Sequence, residues 1–232
     1  MATGADGVEV DVRLSRDGVL VCSHDAVVTT PLGRELVVSS TTASELVERS
    51  AGGSGGHLAT LPEVLSALHA GRAGHLVVEA KPVADQVGAF RTARALAELL
   101  VPLCTSTTIT VSSFDPLVLG AVRRMVFGTN VRTALLGHAT ESAVSVLRRV
   151  DEAGDDEAHL SLGALREAPH VVRMAHQHGI SVTAWTVNGA DLAHMCTLGV
   201  DAVITDDIRT ARASIRPAPH VMPVAIAGGT AC

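Results

Sequence analysis

Apolar residues along this chain recur in two rhythms. Short runs at residues 7–13, 19–23, 75–81, 108–114, 130–136, 158–161, 181–187 and 202–205 read as strands, because successive side chains on an extended backbone face opposite ways. Between them, Ala/Leu/Glu/Arg-rich segments at 61–70, 83–100, 116–126, 140–152, 165–178 and 189–198 read as helices. A strand, a helix and a returning strand form a crossover unit, so the rhythm predicts an α/β chain with a mainly parallel sheet. Residues 15–18 can turn tightly, which makes 7–13 and 19–23 one position with a hairpin extension. The count is then about seven βα positions, against eight in a TIM (β/α)8-type barrel. The predicted fold is that barrel, N-terminally incomplete. Residues 27–56 are a Ser/Thr/Gly-rich excursion with a short helix predicted at 43–49, a composition suited to a loop over one mouth.

Composition narrows the picture. A chain of 232 residues that is 47% apolar can bury one substantial core, and one barrel domain is expected over 1–210 with a C-terminal tail at 211–232. The net charge of -6, with no Lys/Arg cluster or aromatic ladder, argues against nucleic acid as a partner. Cys22, Cys104, Cys196 and Cys232 lack metal-ligand spacing and are too few for a disulfide scaffold, so they read as reduced and structural. No apolar run predicts a transmembrane helix. Met1–Thr3 leads straight into the strand pattern, so the sequence displays a cytoplasmic protein; an export signal would have stood ahead of Met1.

Candidate chemistry gathers on two strands. In Val8-Glu9-Val10-Asp11-Val12 the two carboxylates share a face, and so do Glu79 and Lys81 in Val78-Glu79-Ala80-Lys81. Three carboxylates at neighbouring strand ends raise one another's pKa unless a cation binds among them. A hard divalent ion with oxygen ligands, calcium or magnesium, would supply it; salt-bridged residues at a barrel mouth are the other reading. His24 follows the hairpin and precedes Asp25, where it can exchange a proton near neutral pH and be oriented by its neighbour.

The stretch "GADGVEVDVRLSRDGVLVCSHD" at 4–25 resembles a signature of the glycerophosphodiester phosphodiesterase family, phospholipase-C-like TIM-barrel enzymes. "TLPEVLSAL" (60–68), "LVVEAK" (76–81), "VSSFDP" (111–116), "VTAWTVN" (182–188) and "GVDAVITDD" (199–207) resemble later segments of that family in the same order. The resemblance covers roughly 4–210. It implies metal-dependent hydrolysis of a small-molecule glycerophosphodiester to an alcohol and sn-glycerol 3-phosphate. Glu9, Asp11 and Glu79 would be metal ligands, Lys81 would hold a phosphate oxygen, His24 would protonate the leaving alkoxide, and Trp185 would pack on the glycerol carbons.

One departure stands out. The family opens on a strand ending His-Arg-Gly and a Glu-Asn pair, and neither is found in this sequence. With them would go a partner acid/base, a phosphate-binding Arg and a further metal ligand, so little or no turnover of glycerophosphocholine or glycerophosphoethanolamine by this chain alone is expected. An inactive phosphodiester-binding remnant and a related sphingolipid-directed phosphodiesterase are the alternatives. An incomplete barrel exposes sheet edges, and the tail at 220–229 or a second subunit of a homo-oligomer are the candidates to cover them. Pro223 and the lack of any Arg or Glu count against the tail. His138 and His57 are weak candidates for a replacement base, and His75 is expected at the opposite end of the barrel.

Overall fold

The computed structural model of the chain describes residues 5–50, 58–71, 74–104, 107–214 and 224–229. Strand β1 (Gly7–Leu14) turns at Ser15–Gly18 into the short antiparallel β2 (Leu20–Cys22). The turn is closed by Ser15 N–H donating to the Val19 carbonyl, and Gly18 takes φ 84°, a left-handed conformation that only glycine adopts without strain. A small hairpin of β3 (Val27–Thr29) and β4 (Glu35–Val37), then helix α1 (Ala43–Ser50), occupies the excursion. Helix α2 (Leu61–Gly71) leads into β5 (His75–Ala80).

The alternation then runs regularly: α3 (Gln86–Leu100), β6 (Thr108–Ser113), α4 (Pro116–Met125), β7 (Val131–Leu136), α5 (Ala143–Ala153), β8 (Glu157–Ser161), α6 (Leu162–Glu167), α7 (Val171–Gln177), β9 (Ser181–Trp185), α8 (Asp191–Leu198), β10 (Ala202–Thr205), α9 (Ile208–Ser214) and β11 (Val224–Gly229). Helix ends follow local chemistry. Asp85 accepts from Gly88 N–H at 2.8 Å and starts α3 three residues later than the apolar pattern suggests. The helix expected over 165–178 is two, α6 and α7, because Pro169 between them has no N–H to continue the ladder.

Seven parallel strands, β1 and β5 to β10, come from residues 7–205, as the periodicity predicts. The eighth position is filled from the other end of the chain. β11 pairs in parallel with β10 (Ala202↔Val224 to Thr205↔Ala227) and with β1 (Gly7↔Ile226 to Val10↔Gly229). The sheet therefore closes, with the opening expected at the front occupied by part of the tail. Residues 224–229 are Val-Ala-Ile-Ala-Gly-Gly, an apolar, extended run suited to a strand laddered on both sides. Pro223 precedes the strand and lies outside the described residues.

Packing separates the two faces of this sheet. Outward residues such as Val10, Val12, Leu76 and Val78 share a core cluster with Ala89, Ala93 and Leu96 of α3, and Leu160, Val182 and Val203 share one with α5 and α7. Inside the barrel, Val77, Ala202 and Ile204 form a small apolar plug. Gly7 is needed where β1 meets β5: a Cβ there would lie 2.7 Å from the His75 carbonyl oxygen. That close approach fixes the register on which the site depends.

Candidate active site

β1 and β5 run side by side with Asp11 opposite Glu79 and Glu9 opposite Val77. Since the valines of β1 face the helices, the alternation turns Glu9 and Asp11 inward, level with Glu79. Carboxylate oxygens of all three lie within 4.8 Å of one another, and all three residues are buried. Lys81, just past the end of β5, is 7% exposed and is held by its N–H on the Val12 carbonyl at 3.1 Å. Its Nζ lies 2.7 Å from Asp11 Oδ1 and 2.5 Å from Glu79 Oε1. The second approach is an ion pair without hydrogen-bond alignment, and Glu79 Oε1 is otherwise a buried acceptor with no donor. Burial pushes the Glu79 carboxyl above its ordinary value; Lys81 works against that shift and Asp11 with it.

A cavity of about 240 Å³ opens over this cluster. Glu9, Asp11, Glu79 and Lys81 border it, as do His24 and Trp185, so the six candidate residues of the sequence meet at one place. His24 stands exposed at the rim with Nδ1 2.8 Å from Asp25 Oδ1, a pairing that lowers the Asp25 pKa. Arg13 Nε donates to the His24 carbonyl at 3.1 Å, and its Nη1 reaches the Pro82 carbonyl at 3.5 Å. That guanidinium ties the His24 loop to the turn carrying Lys81. Trp185 is half-buried; its Nε1 donates to the His159 carbonyl at 3.3 Å. Phe114 meets Trp185 edge-on at 5.8 Å and stacks on the exposed His138 at 4.6 Å, giving the cavity an aromatic wall.

Other histidines fall where their strand positions send them. His75, at the start of β5, borders a separate cavity at the opposite end of the barrel with Arg132 and Glu157. His57 lies outside the described residues. Sequence reasoning passed over His159, Arg13 and Asp206. For His159 the signal was present: Glu157, His159 and Ser161 alternate on one face of β8, the face turned into the barrel.

The donor set suits a hard divalent cation. The three carboxylates offer oxygen as their donor atoms, and Glu79 Oε1 lacks an aligned donor. The model of the glycerophosphoryl diester phosphodiesterase family matches residues 1–210. The chain belongs to that family. By membership it is a phosphoric diester hydrolase, and its barrel is the family's. A glycerophosphodiester phosphodiesterase from Caldanaerobacter subterraneus subsp. tengcongensis is 28% identical over 219 residues, covering 90% of this chain and 86% of that protein. A Mycobacterium tuberculosis relative, described as a probable glycerophosphodiester phosphodiesterase 1, is 31% identical over 216 residues, covering 83% and 75%. Among solved structures, a glycerophosphodiester phosphodiesterase from Thermotoga maritima is similar with TM-score 0.69 at 28% identity, covering 90% of this chain and 84% of that one. An Oleispira antarctica phosphodiesterase in complex with the product sn-glycerol-3-phosphate shares the fold with TM-score 0.76 at 22% identity, covering 92% and 86%.

Proposed function

We propose that this chain hydrolyses glycerophosphodiesters to an alcohol and sn-glycerol 3-phosphate at the Glu9/Asp11/Glu79 cavity, with a divalent cation, calcium or magnesium, held by those carboxylates. The observation that carries the reading is the convergence of three buried carboxylates, Lys81, His24 and Trp185 on one cavity in a chain of this family. A phosphodiester anion entering beside three carboxylates is repelled by those that are ionised, and a cation held among them would offset that repulsion. When bound, the cation would supply charge stabilisation at the phosphoryl oxygens. Lys81 would hold one of those oxygens. His24, at the rim and oriented by Asp25, would protonate the leaving alkoxide, and the Trp185 ring would pack on the glycerol carbons.

Assays with glycerophosphocholine and glycerophosphoethanolamine, in calcium or magnesium and in chelator, test this directly. The expected result is turnover that needs the metal and falls roughly 10²–10⁴-fold in His24→Ala. One observation favours a second reading, a phosphodiester-binding protein without turnover: the strand in the eighth barrel position, 224–229, has no ionisable residue. Saturable binding of glycerophosphocholine with no released glycerol 3-phosphate would establish that reading instead.

A further inference from the structure

We propose that His159, held from below by Glu157, is a second proton-transfer group of the cavity and serves as the base that activates water. The inference rests on the hydrolytic reading above and adds a residue to it. His159 projects from the middle of β8 into the barrel, is 0% exposed, and borders the same cavity as Lys81 and Trp185. Its two ring nitrogens have different surroundings. Nε2 lies 3.2 Å from Glu157 Oε2, whereas Nδ1 is buried and has no partner among the described residues. A buried, unmatched ring nitrogen is costly to leave unpaired, and such groups in folded proteins call for an explanation.

The surroundings of Glu157 supply one. Its Oε1 accepts from Thr110 Oγ1 at 2.8 Å and pairs with Arg132 Nη1 at 3.2 Å; Thr110 Oγ1 in turn lies 3.2 Å from His75 Nε2. This buried network fixes the carboxylate, and the carboxylate fixes the imidazole. With Nε2–H donated to Glu157, the Nδ1 lone pair is left as an acceptor, and an imidazolium formed there would be stabilised by the carboxylate. That is the arrangement of a base with an orienting acid behind it.

Hydrolysis of a diester by water needs two proton transfers, and His24 supplies one. As the water oxygen bonds to phosphorus, its proton passes to His159 Nδ1. The bond from phosphorus to the alcohol oxygen breaks, and that oxygen leaves with the proton of His24. Solvent then removes the proton from His159 and returns one to His24. The charges that set the His159 protonation equilibrium lie on both sides of it. Below are Glu157, Arg132 and His75; above, across the cavity, are Glu9, Asp11, Glu79, Lys81, Asp206 and His24.

Two measurements on the full chain test the assignment. In the first, His159→Gln and Glu157→Gln are assayed with glycerophosphocholine after their thermal unfolding is checked. His159→Gln should lower kcat by roughly 10²–10⁴ with little change in KM. Glu157→Gln, a positioning change, should lower kcat less and move the acid limb of the pH–rate profile to lower pH, because the lost carboxylate no longer favours the imidazolium. His159→Gln with wild-type kcat would overturn the proposal while leaving the hydrolytic reading intact. In the second, ¹⁵N-histidine NMR follows His159, assigned through the His159→Gln spectrum, during titration with glycerol 3-phosphate. The Nδ1 resonance should move on saturation. If wild type turns over no glycerophosphodiester, the hydrolytic reading falls, and an Nδ1 resonance unmoved by saturating glycerol 3-phosphate overturns the proposal as well.

Discussion

Lys81 carries more of this site than any other side chain, because one buried ammonium faces both Asp11 and Glu79. Removing one partner of a buried ion pair typically costs about 3–5 kcal/mol. Lys81→Met should therefore lower the thermal midpoint in metal-free buffer and abolish hydrolysis, and added magnesium or calcium should narrow the stability gap; an unchanged midpoint would argue against the ion pair. Glu157 makes the complementary case. Burial alone would raise its pKa, but the hydrogen bond and charge of His159, then Arg132 and Thr110, hold it down to about 2 from the ordinary 4.5. A carboxyl with a depressed folded pKa stabilises the fold fully above its unfolded value and loses that contribution as pH falls through the folded one. Urea unfolding between pH 5 and pH 2 should show a loss of roughly 3 kcal/mol from this group, absent in Glu157→Gln.

Elements show where periodicity was enough and where it was not. The two-residue alternation in Val8–Val12 and Val78–Lys81 revealed which carboxylates share a face, and the register of β1 on β5 then places Asp11 beside Glu79. β3 and β4 have three residues each, too short for alternation to distinguish from loop. His159 is harder to read from sequence, because Glu157, Thr110 and Arg132 around it come from three neighbouring strands, β8, β6 and β7, whose pairing the periodicity of each strand alone does not give. β11 was legible as an apolar stretch but not as a barrel strand, since its neighbours in space are at opposite ends of the sequence. Its double pairing makes a firm expectation. Ile226→Pro removes a backbone donor from a strand paired on both sides, and should lower stability by about 3 kcal/mol or more. Circular dichroism melts would measure it, and an unaltered midpoint would mean that the sheet does not depend on this closure.

At the scale of the molecule, closure by β11 turns seven βα positions and a tail into one continuous sheet with the acidic cluster at one end of its interior and the Glu157 network towards the other. Among the described residues no helix is long and apolar enough to cross a membrane. The cluster of Glu9, Asp11 and Glu79 needs the folded barrel, because β1 and β5 bring it together from positions about seventy residues apart in the chain. A cation bound there therefore binds the folded form alone and stabilises it by mass action, about 2.7 kcal/mol at a concentration one hundred times its dissociation constant. Thermal unfolding followed while calcium or magnesium is titrated into the metal-free protein should show a midpoint that climbs with the logarithm of free ion. Glu79→Gln removes one of the three charges and should flatten that climb, whereas a surface change such as Glu98→Gln, in an exposed pair with Arg94, should leave it as in the wild type. A midpoint insensitive to both ions, or one that rises equally in Glu79→Gln, would remove the metal from this site and with it the means by which a phosphodiester could approach three carboxylates.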